Sequence, residues 1–186
     1  MVAAMRADAR LRTEATDRVE VFVGQSLAPG WFGWIIPLDG NVARVGIGDG
    51  NNSGKSLGQL LKELMSAFPR QFQGAELDRL RGHVIPIYSP TKTYGARVLL
   101  VGDAARQVKP TSGGGLYTGL VGARHCAKVV VEALQREDFS EAFLSQYQAA
   151  WKGELGAELE RETDLRRVFL GLSDREIDRL LALLGT

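Results

Sequence analysis

The chain has 186 residues, with 45% hydrophobic and 24% charged residues and a net charge of +1. That is long enough for one domain or a domain with a helical tail, and its composition is that of an ordinary globular protein. A balance of 23 basic to 22 acidic residues gives no electrostatic basis for binding nucleic acid. One cysteine, Cys126, and two histidines, His83 and His125, exclude an internal disulfide and argue against a metal centre. No apolar run is long enough to span a bilayer, and the opening Met1–Arg6 lacks a signal-peptide core. A cytoplasmic location is the default expectation, with attachment at a membrane surface left open.

The first half reads as β. Met5, Ala7, Ala9 and Leu11 alternate with Arg6, Asp8, Arg10 and Arg12. Val19, Val21 and Val23 alternate with more polar neighbours. Period-two alternation predicts half-buried strands. A proline-bounded aromatic strand follows, Pro29 to Pro37, carrying Trp31, Phe32 and Trp34. Strict alternation puts Phe32 and Trp34 on one face, with Trp31 and Gly33 on the other. Asp39-Gly40-Asn41 predicts a hairpin turn into Val42–Gly48. Ser56 reads as the cap of a helix whose apolar face is Leu57, Leu60, Leu61, Leu64 and Phe68, ended by Pro69.

Arg81–Ile87 predicts another strand, and Arg97–Val101 a short, buried one. The latter runs into Gly102-Asp103-Ala104-Ala105. Pro110 and the glycines Gly113, Gly114 and Gly115 then lead into a helix over about Leu116–Leu134. Beyond Asp138 the pattern is helical, with Gly153, Gly156 and Gly171 as expected weak points or breaks. The order, mostly strands and then mostly helices, predicts an α+β fold with a mixed or antiparallel sheet and C-terminal helices. The expected division is a β-rich portion over 1–96, a strand–loop–helix motif over 97–135 and a helical region over 136–186.

The stretch from Val98 to Leu116 carries the chemistry. Gly102 permits a tight turn or a close ligand approach. The Asp103 carboxylate, at a strand end, can accept hydrogen bonds from ribose or polyol hydroxyls. The glycines expose N–H groups at a helix N-terminus, which suits phosphate or an electron-rich ring edge. Each piece alone is common in turns; the full string makes a half-site for a large phosphorylated cofactor.

This string resembles the second FAD motif of the flavoproteins that include p-hydroxybenzoate hydroxylase and the geranylgeranyl reductases. The resemblance implies that Asp103 holds the ribityl or ribose part of FAD. It also implies that Gly102, Pro110, Gly113, Gly114 and Gly115 form the flavin-side turn and loop. The segments Ala28–Pro37 and Ala43–Gly48 resemble the strand pair of the geranylgeranyl reductase branch, in which an aromatic–Trp–apolar–Pro strand lines a lipid cavity. Ile36 departs from that pattern, where an aromatic is usual, but stays apolar. The tail stretches Tyr147–Trp151, Leu165–Phe169 and Leu172–Asp174 are also similar, and the resemblance covers about residues 18–186 and, more weakly, the first strand.

What the resemblance implies is an FAD-dependent oxidoreductase, with NAD(P)H as one electron donor, reducing C=C bonds of isoprenoid chains. Trp31, Phe32 and Trp34 would wall the apolar substrate, although these aromatics also fit a plain core. No acid or base catalyst is identifiable. His83 could donate a proton, but a structural histidine is the simpler reading. His125 and Cys126 are assigned to packing, Lys109 to solvent rather than phosphate, and the charged run Glu154–Arg167 to a solvated helix face.

A complete enzyme of this kind opens with a strand, a Gly-x-Gly-x-x-Gly turn and a helix. No such motif occurs here, since Gly46-Ile47-Gly48-Asp49-Gly50 leads into a polar loop. The expectation is a fragment that lacks the N-terminal βαβ unit and binds FAD weakly or not at all by itself, its partner being the missing flavin-binding half. A flavin monooxygenase or halogenase, and a non-catalytic domain binding lipid or a partner, are the alternatives.

Overall fold

The computed structural model describes residues 1–11, 17–38, 41–88 and 92–184. The chain divides into two compact units, one of 1–84 with 169–186 and the other of 85–168. Among the described residues the fold is α+β.

The first unit is built on a sheet. Strands β1 (Val2–Arg10), β2 (Glu20–Val23), β3 (Phe32–Pro37), β4 (Val42–Asp49) and β5 (Glu76–Leu77) lie in the order β2-β3-β4-β1-β5. A further strand, β6 (Arg81–Ile85), also pairs with β1. The β1–β4, β3–β4 and β2–β3 pairings are antiparallel. Asp39 and Gly40 of the expected turn, and Arg12 of the first alternating run, lie outside the described residues. Across β1 and β4, Asp8 is opposite Arg44, whose guanidinium donates to both carboxylate oxygens at 2.8 and 3.2 Å.

Helix α1 (Leu57–Ala67) covers one sheet face. Ser56 caps it in a capping box with Gln59, and Leu60, Leu61 and Leu64 are buried, as the sequence predicts. They pack with Ala7, Ala9, Leu11, Ile35, Val45 and Ile47. In β2 the buried residue is Phe22, whose ring lies 4.6 Å from Phe68 and 5.8 Å from Phe72. Val19 and Val21 are more than half exposed. The alternation is real but its phase is set by the phenyl ring, which buries more area than a valine. Helix α4 (Asp174–Leu184) closes this unit. The Asp174 carboxylate accepts the N–H groups of Gln25 and Ser26 and, with the Ser26 contact foremost, is held below the usual carboxylate range.

The second unit holds the two-stranded sheet β7 (Tyr94–Gly95) and β8 (Val98–Leu99), a 3-10 turn over Gly102–Ala105, helix α2 (Leu116–Arg136) and helix α3 (Glu141–Leu170). Its core joins Val121, Val129 and Ala133 of α2 to Leu144, Tyr147, Trp151, Leu155 and Leu159 of α3. Gly153 and Gly156 do not break α3, because its core-facing Trp151, Leu155 and Leu159 hold the helix through them. The helix ends at Leu170, just before Gly171.

Candidate functional site

The aromatic strand and the Gly-Asp string fall in different units, so each is a site of its own geometry.

In the first unit, Gly33 and Ile35 face α1: a β-carbon on Gly33 would meet Leu64 at 2.5 Å, and Ile35 is buried beside it. Phe32 and Trp34 occupy the other face. Trp31 joins them rather than Gly33, contrary to simple alternation. It precedes the strand, in a turn where its N–H donates to Ala28 and Gly30 has a φ of +64°. Its ring stacks on Phe32 at 4.9 Å, and Phe32 meets Trp34 edge-on at 5.9 Å. The cluster is possible because β4 carries glycine beneath each indole. A β-carbon on Gly46 would run into the Trp34 ring, and one on Gly48 into that of Trp31. Trp31 is 1% exposed, whereas Phe32 and Trp34 are part-exposed. Phe32 and Trp34 are therefore the surface of the wall, and Trp31 is its backing.

In the second unit, β8 delivers the chain into the turn at Gly102, whose φ of +63° is in the left-handed region natural to glycine. Asp103 follows with an exposed carboxylate. A β-carbon on Gly115 would lie 3.3 Å from Asp103 Oδ1, so the carboxylate stands over the entry of α2. Gly119, one turn on, lies in van der Waals range of Gly102, a β-carbon there lying 3.6 Å from its Cα. Asp103, Gly102 and Gly115 thus converge, although 12 residues separate Asp103 from Gly115.

The glycine loop is closed on itself. Lys109 N–H donates to Gly114 O at 2.9 Å, and Gly113 N–H returns to Lys109 O at 2.9 Å. Gly114 N–H donates to Ser112 Oγ at 3.3 Å. Two of the three glycine amides expected to face an anion are therefore engaged within the loop. Pro110 is buried beside a groove of about 480 Å³ whose other walls include Val108, Trp151, Leu159 and Thr163.

Helix α3 fixes this loop. Lys109 Nζ pairs with Glu158 at 2.5 Å and Glu162 at 3.3 Å, and Thr111 Oγ1 donates to Glu162. Those two carboxylates, Glu158 first, raise the Lys109 ammonium above the usual lysine range. Lys109 is an anchor of the loop and not a solvated lysine. Glu154, a turn earlier, takes Arg124 and His125, the latter at 2.7 Å. The run Glu154–Arg167 is thus only partly a solvated face. Its Glu154, Glu158 and Glu162 recur every four residues, a spacing that puts them on one stripe of a helix and could have marked them in the sequence. His125 Nε2 meets a Glu154 carboxylate oxygen as well as packing, and Cys126 packs at the core edge, where burial raises its thiol. His83 is exposed on β6 and not a buried structural histidine.

A buried polar network backs the turn. Gln107, fully buried, accepts Gly102 N–H on its Oε1 at 2.8 Å and donates from Nε2 to Tyr147 Oη at 2.9 Å. Tyr147 donates in turn to Leu100 O at 2.7 Å. Thr118 Oγ1 donates to Gln107 O. Gln107 was not singled out in the sequence, where a lone glutamine after Ala105-Arg106 carries no signal, and Tyr147 stood out only as the start of the similar tail.

The strand into this site is less covered than its sequence implies. Leu99 and Val101 pack on the α2–α3 core, but Val98 is 51% exposed and Leu100 37%. On α2, Leu116, Leu120, Ala123, Ala127, Val131 and Leu134 form a second apolar stripe that is exposed along the whole helix. Among the described residues no helix is long and apolar enough to cross a membrane.

The fold is shared with solved structures. The chain superposes on a geranylgeranyl bacteriochlorophyll reductase-like protein of Thermoplasma acidophilum with a TM-score of 0.85 at 24% identity, covering 96% of this chain and 46% of that one. It also superposes on a probable FAD-dependent monooxygenase of Pseudomonas aeruginosa with a TM-score of 0.60 at 18% identity, covering 100% of this chain and 52% of that one. In sequence it is 36% identical to digeranylgeranylglycerophospholipid reductase 2 of Methanopyrus kandleri, over 88% of this chain and 43% of the relative. It is 32% identical to digeranylgeranylglycerophospholipid reductase 1 of Methanococcoides burtonii, over 86% and 39%. No family model matches. The chain is thus similar to digeranylgeranylglycerophospholipid reductases and spans about two fifths of the length of these curated relatives.

Proposed function

We propose that the chain supplies the second flavin motif and part of the substrate wall of an FAD-dependent reductase acting on C=C bonds of isoprenoid chains. The observation that carries this reading is the convergence of Asp103 with Gly115 at the entry of α2. A side chain at residue 115 would crowd the carboxylate; glycine leaves a cradle open beside an acceptor suited to sugar or polyol hydroxyls. When bound, FAD supplies the hydride, drawn from NAD(P)H or another donor. Asp103 orients the cofactor by accepting its hydroxyls, and the Pro110–Gly115 loop presents a rigid backbone edge. Phe32 and Trp34 offer an apolar surface that excludes water from the alkene.

The rest of the cofactor's grip belongs to the part of the reductase length that this chain does not span. The exposed stripe of α2, with the outward Val98 of β8 and Leu100 just beyond it, is the surface we assign to it. A run apolar on both faces, such as Val98–Val101, is the mark of a strand covered on both sides. A stripe of this length left in water is unusual for a finished surface.

Titration of FAD into the purified chain, with and without the preceding reductase half, tests the reading. Without the adenine and pyrophosphate contacts, each worth about 1.5–3 kcal/mol where charged, the chain alone is expected to bind FAD weakly or not at all. With that half, binding is expected to be stoichiometric and to fall with Asp103→Ala. Stoichiometric FAD on the lone chain after dialysis, or indifference of the two-part protein to Asp103→Ala, contradicts it. A monooxygenase would instead consume oxygen in step with NAD(P)H.

A further inference from the structure

We infer that Gln107 is the positioning residue of the Gly102–Asp103 turn, and that Tyr147 links this turn to helix α3. The inference rests on the reading of Asp103 as a cofactor acceptor.

Gly102 is held at both of its backbone groups by one residue. Its N–H donates to the Gln107 side chain at 2.8 Å, and its C=O accepts Gln107 N–H at 3.0 Å. The peptide planes on either side of Gly102 are thereby fixed, and Asp103 inherits its direction from the second of them. Glycine at a φ of +63° has little steric preference of its own, so the hold must come from such bonds. The carboxamide in turn has no freedom to rotate. Its Nε2 is aimed at Tyr147 Oη, whose own proton is committed to Leu100 O. Exchanging the two ends of the amide would set donor against donor at Gly102 and leave Tyr147 Oη facing an acceptor while its proton is already in use. Thr118, on α2, donates to the Gln107 carbonyl and ties the same residue to the helix that Gly115 opens. The two halves of the candidate cradle are therefore registered through Gln107.

The test compares Gln107→Leu, Gln107→Glu and Gln148→Leu. Gln148 is a useful control of like chemistry, because its Oε1 accepts the Thr93 N–H at 2.7 Å where that of Gln107 accepts the Gly102 N–H. Amide exchange at Gly102 in this chain is measured first, then FAD affinity in the protein joined to the preceding reductase half. Gln107→Leu is expected to speed Gly102 exchange at least tenfold and to weaken FAD about tenfold to a hundredfold. Gln107→Glu keeps an acceptor for Gly102 N–H and, when its carboxyl is protonated, a donor for Tyr147 Oη, so it should restore most of both at acid pH, and it serves if the leucine variant does not fold. Gln148→Leu should lower the melting temperature with neither effect. Unchanged Gly102 exchange in Gln107→Leu overturns the inference, as does an FAD loss no greater than that of Gln148→Leu. If the wild-type two-part protein binds no FAD, the proposed function fails, while the exchange comparison still decides whether Gln107 holds the turn.

Discussion

Gly122 of α2 lies against the side chain of Gln107, and a β-carbon there would overlap the carboxamide. The overlap is not with a free chain end, since both polar atoms of that carboxamide are engaged. Gly122→Ala is therefore expected to destabilise the chain by about 1–3 kcal/mol, although alanine is the better helix former. Denaturant melts of the two proteins measure it; equal or greater stability of the alanine variant contradicts the packing described.

The Lys109 anchor is only partly buried, its side chain 32% exposed. Its ion pairs are expected to add no more than about 1 kcal/mol to stability. Lys109→Met should leave the melting temperature nearly unchanged, yet raise amide exchange at Gly113, whose N–H bonds to Lys109 O. Salt near 1 M should reproduce part of the effect in the wild type. Identical exchange in the variant and the wild type argues that Glu158 and Glu162 do not order the loop.

Burial pushes the Tyr147 phenol up to about 12, the hydrogen bond from Gln107 working in the opposite direction. The folded state thus keeps a proton that the unfolded chain releases near pH 10. Tyr147 contributes stability in full below about pH 10, and this is lost as pH rises toward 12. Tyr147→Phe should cost about 1 kcal/mol at neutral pH and flatten the alkaline fall. An alkaline limb as steep in the variant assigns the fall to other groups.

Trp34 and Trp31 should separate in behaviour. In the FAD-loaded two-part protein, Trp34→Ala is expected to weaken apparent prenyl-substrate affinity about tenfold to a hundredfold, roughly the 1.5–3 kcal/mol of a large apolar contact. Trp31→Ala, which empties a buried site, should instead cost about 3–5 kcal/mol of stability. Prenyl reduction unaltered by Trp34→Ala removes that residue from the substrate wall.

Local signals in the sequence carried well. Ser56 and Gln59 bracket the start of α1 by a mechanism confined to four residues, and the Gly-rich entry of α2 is equally local. Phase and partnership were harder. The valines around Phe22 alternate correctly but point outward, because which parity is buried depends on rings contributed by Phe68 and Phe72. Trp31 left its alternation class because a turn, not a strand, carries it. Asp103 was legible as a strand-end acid, whereas Gln107 gains its role only from Tyr147, 40 residues away. Arg97–Val101 reads as a buried strand, and Val98 is exposed because burial needs a covering surface that the strand's own letters do not supply.

The glycines beneath the two indoles make β3 and β4 hold one allotment of bulk between them. Trp34 covers Gly46 and Trp31 covers Gly48, so neither position can vary by itself. Enlarging residue 48 calls for shrinking residue 31, whereas a β-carbon at 46 would also meet the Met5 carbonyl oxygen at 2.6 Å, so residue 46 stays glycine whatever stands at 34. Divergence at this wall should therefore proceed as a matched change at 31 and 48. Moving volume from residue 31 to residue 48 offers a way to reshape the backing of the apolar surface while the strand pairing beneath it stays as it is.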